Sequence, residues 1–139
     1  MARQLVGFLL ALASLPVASL AEAELEVEIE CLRSARGKVR IVLFDSPQTH
    51  LETATRSGVL AIGENRVVWR VPELPVGDYS LAVYHDRNDN GRLDRRLFGL
   101  PAEPYGFSNG LRARFGPPSW RSAHFSIREP AARISICVK

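Results

Sequence analysis

Hydrophobic and polar residues alternate with a period of two along most of this chain, which is typical of β-strands with one buried face. Over residues 24–31 a glutamate precedes each apolar or cysteine position. The predicted inward positions of this first strand are Leu25, Val27, Ile29 and Cys31. A polar turn that ends at Gly37 separates it from a β-branched run over residues 38–44, so the pattern predicts that these two strands form a hairpin.

Similar short patterns follow, separated by residues that favour turns. They predict a short edge strand, three alternating strands and a closing strand, at residues 59–62, 66–71, 79–85, 121–128 and 132–138. No segment shows a convincing helical period. The chain is therefore predicted to be all-β, an antiparallel β-sandwich of about seven strands with an immunoglobulin-like or transthyretin-like shape.

The first 21 residues have the pattern of a secretory signal. Arg3 supplies a positive start, an apolar run follows, and small residues stand at Ser19 and Ala21. We expect cleavage after Ala21, which leaves residues 22–139 as one β-sandwich domain that is periplasmic or secreted. Pro16 and the short apolar run argue against a membrane span, since spanning needs roughly 20 apolar residues.

The charge balance gives little information about partners. The net charge of +3 falls to +2 if Arg3 leaves with the signal. Such a mildly basic domain is not expected to bind nucleic acid. Arginines gather modestly over residues 92–96 and 112–114, where the general expectation is a solvated surface.

Oxygen-bearing side chains recur at fixed spacing just after the strand at residues 79–85. With Asp86 as position 1, the loop has Asn, Asn and Asp at positions 3, 5 and 9 and Gly91 at position 6, as in a calcium loop of the EF-hand type. A hard cation prefers several such oxygens, so calcium is the cofactor that this loop predicts. The predicted ligands are the side chains of Asp86, Asn88, Asn90 and Asp94 and the carbonyl of Arg92.

The loop departs from the usual calcium pattern in two ways. Position 12, which is normally a bidentate Glu, is Leu97, and no helices are predicted on either side. With two carboxylates, the expected dissociation constant is on the order of 0.1–1 mM. The alternative is a turn in which the same Asp and Asn side chains bond their own backbone amides. The sequence is compatible with both interpretations.

A second candidate site is the long irregular segment over residues 105–120. Loops of this length are usually functional or disordered, and the aromatic content favours order. Aromatic rings can stack on a sugar, and Arg and Asn can bind an anion, so the segment predicts a carbohydrate or small-anion ligand. The candidate residues are Tyr105, Phe107, Asn109, Arg112, Arg114 and Trp120. Alternatively, the aromatic side chains cap the end of the sandwich core.

The three histidines are not expected to be catalytic. His50 lies in an irregular segment and is predicted to face solvent. His85 ends the strand over residues 79–85 and is predicted to pack in a partly buried position, although Asp86 is its neighbour. His124 is placed on the polar face of a predicted strand, in contact with water.

Two cysteines occur, near the two ends of the predicted domain. In an oxidising compartment a pair is more often a disulfide than two free thiols, so a Cys31–Cys137 bridge is expected. The alternation opposes it, because Cys31 is predicted to face inward while Cys137 lies opposite Ile134 and Ile136. A bulge would resolve this conflict.

Five motifs in order give the chain a family resemblance. They are residues 77–86, residues 88–94, Phe98-Gly99-Leu100-Pro101, residues 105–109 and residues 115–119. Together they resemble the exported bacterial proteins grouped as the domain of unknown function 2141 family. The resemblance implies a periplasmic or secreted β-sandwich, and it implies no activity because that family is uncharacterised.

Enzymatic activity is not predicted. The sequence has no Gly-x-Ser-x-Gly motif, no His/Cys metal cluster and no Gly-rich phosphate loop. A hydrolase of the transthyretin-related type fits the predicted shape, yet its characteristic Tyr-Arg-Gly-Ser ending is replaced here by Ile136-Cys137-Val138-Lys139. We therefore expect a non-enzymatic domain.

Overall fold

The computed structural model describes residues 21–128 and 130–139, so the predicted signal lies, except for Ala21, outside the described residues. The strands are β1 (Glu22–Glu30), β2 (Lys38–Phe44), β3 (Arg56–Ala61), β4 (Val67–Pro75), β5 (Gly77–Asp86), β6 (Tyr105–Phe107), β7 (Phe125–Ile127) and β8 (Ala131–Cys137). The short helical elements are α1 (Trp120–Ala123) and the 3-10 turns Leu97–Gly99 and Ser108–Gly110.

The strands form two sheets, which confirms the all-β sandwich prediction. One sheet has three strands in the order β4-β1-β8, and the other has five strands, in the order β3-β2-β5-β6 with β7 also paired to β5. The β1–β8 pair is parallel, whereas a wholly antiparallel arrangement was expected. The period-two pattern fixes which face of a strand is buried and is silent about strand direction.

The core lies between the inner faces of the two sheets. β1 and β4 contribute Leu25, Val27, Ile29, Val67, Trp69 and Val71, and β2 and β5 contribute Val39, Ile41, Leu43, Leu81 and Val83. β6 lies close to β8. A Cβ atom added at Gly106 would lie only 2.8 Å from Cγ2 of Ile136. This close approach seats β6, which carries Tyr105 and Phe107, against the sandwich.

The predicted hairpin of β1 and β2 is wrong. β1 pairs with β4 and β8, whereas β2 pairs with β3 and β5 in the other sheet. Residues 31–37 therefore cross from one sheet to the other. Neighbouring strands in sequence often pair, but here both edges of β1 are already occupied by other strands.

Cys31 and Cys137 form a disulfide, as expected. Cys31 follows the last residue of β1, has a φ of 66° and is exposed, so its predicted inward placement is wrong. The left-handed backbone takes it out of the alternation of β1. Because Glu30 pairs in register with Cys137 on the parallel β8, the two cysteines come together, with Cα atoms 5.1 Å apart.

The strand predicted over residues 121–128 is only half correct. Its first part is the helical turn α1, and only β7 is extended. The side chains of Ser108 and Asn109 donate hydrogen bonds to the carbonyls of Ala123, Ser122 and His124. These tertiary contacts favour the turn over the alternating strand that the sequence pattern predicts.

Within the described ranges, no helix has both the length and the apolar character required to cross a membrane.

Candidate functional site

Asp86, the first predicted calcium ligand, lies at the end of β5 and is fully buried. Its Oδ2 accepts hydrogen bonds from Nε of Arg40, at 2.6 Å, and from the backbone N–H of Gly91, at 2.9 Å. Its Oδ1 accepts one from the backbone N–H of Asn90. Burial opposes ionisation, but the Arg40 guanidinium and the two amides hold the pKa of Asp86 below its usual value.

The other predicted ligands gather around Asp94. The side-chain amides of Asn88 and Asn90 donate to its two carboxylate oxygens, at 2.7 and 2.9 Å. These hydrogen bonds lower the pKa of Asp94, and Arg92 adds a weaker attraction. Asp94 therefore stays ionised, and its side chain remains 30% exposed.

The backbone of the loop turns as the calcium pattern requires. Gly91 has a φ of 84°, the left-handed region that favours glycine. The side-chain oxygens of Asn88 and Asn90 accept the backbone N–H groups two residues further on, at Asn90 and Arg92. The contacts of the Asx-rich turn are thus present in the structure, and the same residues still converge on Asp94.

Glu103 contacts the backbone near both ends of the loop, and the sequence pattern did not predict it. It is 7% exposed, and its two oxygens accept the backbone N–H groups of Arg87, at 2.8 Å, and Asp94, at 3.1 Å. Leu97, which occupies position 12 of the calcium pattern, is 83% exposed and carries no oxygen on its side chain. The only sequence signal for Glu103 was an isolated acid between two prolines.

Asp89 completes the charge pattern of the loop. Its carboxylate contacts Nζ of Lys38, at 2.9 Å, and the guanidinium of Arg40, at 3.1 Å. Two cationic side chains from β2, Lys38 and Arg40, thus already contact the carboxylates of the loop. Across the described ranges, no group of three or more His, Cys, Asp or Glu side chains could hold a metal ion.

A groove lies beside this loop. Its lining includes Tyr105 and Phe107 on β6, Arg114 in the following loop, and Arg95 on the side of the calcium-like loop, and it encloses about 360 Å³. An adjoining hollow of about 310 Å³ shares Tyr105, Phe107 and Arg95 and continues over β5. Three of the residues predicted to bind ligand therefore come together.

Tyr105 is held in place by several contacts. Its hydroxyl donates to the carbonyl of Ala113, at 3.2 Å, which ties the floor of the groove to one wall. Its ring packs edge-on against Phe107, with ring centres 5.9 Å apart. The guanidinium carbon of Arg112 lies 5.0 Å from the centre of the Tyr105 ring, and Arg112 also donates to the carbonyl of Lys139. Arg112 thus supports Tyr105 and lies outside the groove lining.

Asn109 and Trp120, the remaining predicted ligand residues, belong to a different cluster. Asn109 donates to two carbonyls of the α1 region, as described above. Trp120 stacks on His124, with ring centres 6.0 Å apart, and meets His50 edge-on at 5.8 Å. In these positions both residues hold the segment after Pro118 against the sandwich.

His50 is not solvent-facing, so that prediction is wrong. Its Nδ1 lies 2.8 Å from Oγ of Ser80, and its Nε2 lies 2.9 Å from the carbonyl oxygen of Pro118. Because only an N–H can pair with that carbonyl, Nδ1 of the neutral imidazole accepts the Ser80 hydroxyl. Because Ser80 is fully buried, a substrate cannot reach the hydroxyl of this Ser–His pair in the described structure. His124, predicted to lie on the polar face of a strand, instead follows α1 and is half-buried against Trp120.

His85 packs in the core, as expected, and is more deeply buried than expected. It is 1% exposed, and its Nε2 donates to the carbonyl of Arg36 at 2.6 Å. Within the described residues its Nδ1 has no hydrogen-bond partner. His85 anchors the crossing segment between the sheets and does not reach the groove or the loop contacts.

A family model matches most of the described chain. The family described as "Uncharacterized protein conserved in bacteria (DUF2141)" matches residues 27–135, which confirms the resemblance carried by the five motifs. No curated protein and no solved structure is significantly similar to the chain.

Proposed function

Because the chain belongs to the DUF2141 family of uncharacterised bacterial proteins, we propose its function from the geometry: it is an exported binding protein, and its groove holds a small ligand with a ring face and an anionic group. The signal pattern of residues 1–21 and the Cys31–Cys137 disulfide support export, since disulfides persist in oxidising compartments. The ligand class covers acidic sugars and small aromatic anions.

The observation that carries this proposal is the convergence of Tyr105, Phe107 and Arg114 on one groove. Two half-buried aromatic rings form a floor on which a sugar or an aromatic ring can stack. The volume of about 360 Å³ is near the lower end for ligand pockets, which suits a single ring or a disaccharide end. The hydroxyl contact from Tyr105 to Ala113 keeps this floor in shape without a ligand.

The charge of the groove favours an anion. Arg95 and Arg114 are the charged residues in its described lining, and no acidic residue contributes. Within the described chain, neither arginine has a carboxylate within 4 Å. A guanidinium without a carboxylate partner can bind a carboxylate, sulfate or phosphate through paired hydrogen bonds.

A fluorescence titration with anilinonaphthalene sulfonate, which joins apolar rings to an anion, tests the groove. We expect saturable binding that weakens about tenfold in Phe107→Ala, which removes part of the floor, and about five- to tenfold in Arg114→Gln, which removes the charge. Arg121→Gln in α1 is the matched control and keeps full binding. Equal binding by Arg114→Gln and Arg121→Gln would contradict the proposed site.

A second candidate function is weak calcium binding by residues 86–94. It is supported by the ionised, partly exposed Asp94, on which the side chains of Asn88 and Asn90 converge. A half-turn of either amide would present its oxygen where its nitrogen now lies, at the cost of its hydrogen bond to Asp94 and of the backbone N–H that its oxygen now accepts. Arg40 opposes calcium binding, because it already neutralises Asp86.

Thermal melting with calcium or with chelator tests this second function. With a dissociation constant on the order of 0.5 mM, about 5 mM calcium would stabilise the fold by roughly 1.4 kcal/mol. The melting temperature would then rise by a few degrees, and Asp94→Asn would abolish the rise. Identical melting of the parent protein with chelator and with millimolar calcium would exclude the site.

A further inference from the structure

Residues 94–102 form a narrow hairpin, here named the finger. The N–H of Ala102 donates to the carbonyl of Asp94, and the N–H of Arg96 donates to the carbonyl of Leu100, both at 2.7 Å. Arg95 and Pro101 form a bridge between these two bonds. The finger is therefore closed by its own backbone, and its tip is the 3-10 turn Leu97–Gly99.

The tip presents two large apolar side chains to solvent. Leu97 is 83% exposed and Phe98 is 98% exposed. Phe98 has a φ of 65°, and Gly99 has a φ of 74°, so an aromatic residue occupies a conformation that side chains disfavour. Arg95 donates from its guanidinium to the carbonyl of Gly99, at 2.8 Å, which holds the turn. The exposed position of Phe98 is thus built into the finger.

A second loop adds to the same patch. Phe115 is fully exposed and Leu100 is 59% exposed, and both line the groove that Phe98 also lines. We call Leu97, Phe98, Leu100 and Phe115 the apolar rim. Contiguous exposed apolar side chains of this kind mark contact surfaces in proteins that otherwise bury such residues.

Arginines without carboxylate partners surround the apolar rim. Arg95 and Arg114 line the groove, and Arg96 and Arg112 line the neighbouring cleft, which shares Leu100 and Tyr105 with it. Across the described chain, none of these four arginines has an Asp or Glu carboxylate within 4 Å. Arg112 donates to the main-chain oxygen of Lys139, and Arg95 donates to that of Gly99. The one acid in either lining is Glu103, which is buried and accepts two backbone N–H groups.

By contrast, the arginines on the outer face of the three-stranded sheet have carboxylate partners. Arg66 pairs with Glu28, and both Arg70 and Arg133 pair with Glu26. Although the net charge of the whole chain is only +3, four arginines without an Asp or Glu partner therefore border the apolar rim.

We propose that the apolar rim inserts into the surface of a bilayer that contains anionic phospholipid, with the four surrounding arginines on the lipid phosphates. Exposed Leu and Phe side chains inside a ring of arginines match the interface of such a bilayer, which offers acyl chains below a layer of negative charge. A ligand in the groove would cover the inner sides of Phe98 and Phe115. It would leave Leu97 bare, because Leu97 does not line the groove.

Cosedimentation with vesicles tests this docking surface, using the exported form purified from periplasm. One set of vesicles contains phosphatidylglycerol and phosphatidylcholine in equal parts, and the other contains phosphatidylcholine alone. We expect binding to the first set only, and loss of that binding at high salt. Arg96→Gln should weaken binding about fivefold, as expected for one cationic side chain near an anionic surface. Arg66→Gln, at the outer face of the three-stranded sheet, is its matched control.

Leu97→Ser separates this proposal from the proposed function of the groove. It should weaken binding to anionic vesicles by about tenfold, because an exposed leucine no longer enters the acyl region. It should leave the binding of anilinonaphthalene sulfonate unchanged. Val59→Ser, which removes an exposed apolar side chain from β3, is the matched control and should change neither.

Full vesicle binding by Leu97→Ser, or equal binding to the two sets of vesicles, would overturn the proposal. Concentration-dependent dimers that disappear in Phe98→Ser, without any vesicle binding, would assign the rim to a second copy of the chain and would also overturn it. Melting curves confirm that each variant is folded, which is expected because the replaced side chains are exposed.

Discussion

The guanidinium of Arg40 on β2 donates from Nε to Oδ2 of Asp86 at the end of β5, at a distance of 2.6 Å. Asp86 is fully buried, so this contact gives a cationic partner to a carboxylate that water does not reach. Asp86, the first residue of the loop over residues 86–94, is therefore already paired with a cation. This pair has consequences for stability that do not depend on any ligand.

Removing the Asp86 carboxylate should destabilise the fold. In Asp86→Ala, the Arg40 guanidinium and the backbone N–H groups of Asn90 and Gly91 lose their acceptor, at a cost of about 2–3 kcal/mol in the free energy of unfolding. Urea denaturation measures this change. Glu28→Ala, which breaks an exposed pair with Arg66, is the control and should cost less than about 1 kcal/mol. Equal effects of the two substitutions would contradict the role assigned to Asp86.

Acid should destabilise the protein through three carboxylates. Hydrogen bonds and nearby arginines lower the pKa values of Asp78, Asp86 and Asp94 in the folded state. The unfolded chain therefore binds more protons than the folded chain in acid, so stability falls as the pH falls. The contribution of these groups should be complete above about pH 5 and should disappear as the pH drops below about 4.

The acid prediction is checked by melting the protein at a series of pH values. Asp78→Asn removes the group that Ser126 and Arg128 contact, so its stability should depend less steeply on pH below about 4. A melting temperature that rises on acidification over that range would show that the sign of the effect is wrong.

The disulfide should contribute substantially to stability. Cys31 and Cys137 are 106 positions apart, and they join the end of β1 to the end of β8. The free energy of unfolding of the double variant Cys31→Ser, Cys137→Ser should be about 2–4 kcal/mol lower. Without the bridge, the unfolded chain has more conformational entropy. Chemical denaturation with and without reductant checks the value. Reductant should destabilise the parent protein and leave the double variant unchanged.

His50 should act as a structural link between β5 and the segment that contains α1. His50→Ala would remove contacts to the Ser80 hydroxyl and the Pro118 carbonyl, at a cost of about 1–3 kcal/mol. Hydrogen exchange should then show faster exchange for the amides of residues 119–124, with little change in β1. Uniformly faster exchange throughout the protein would instead show that His50 supports the whole sandwich.

The sequence predicted the buried faces of the strands well and their partners poorly. Alternation over residues 24–30 identified Leu25, Val27 and Ile29 as core residues, and all three are fully buried. The same pattern gave no information about pairing, because a strand with one buried face can pair with any neighbour in its sheet. β1 therefore lies between β4 and β8, rather than beside β2.

The two candidate sites were likewise predicted only in part, because a local sequence pattern does not show which distant residues the fold brings to it. Fixed spacing placed Asp86, Gly91 and Asp94 in one turn, since Asp, Asn and Gly at these positions favour a turn of the backbone. Glu103 and Arg40 reach that loop from other parts of the chain, and only the fold brings them there. Of the six predicted ligand residues, three line the groove, two belong to the α1 cluster, and Arg112 supports Tyr105 from outside the groove. Composition cannot show which side of a long loop each residue occupies.

The most direct test of the binding account is a backbone NMR titration with anilinonaphthalene sulfonate and, separately, with glucuronate, an acidic sugar. We expect saturable shifts for at least one probe, concentrated at the amides of Tyr105, Phe107 and Arg114 and nearly absent around Asn109 and Trp120. Shifts that saturate elsewhere on the sandwich, or no saturable shifts with either probe, would contradict it.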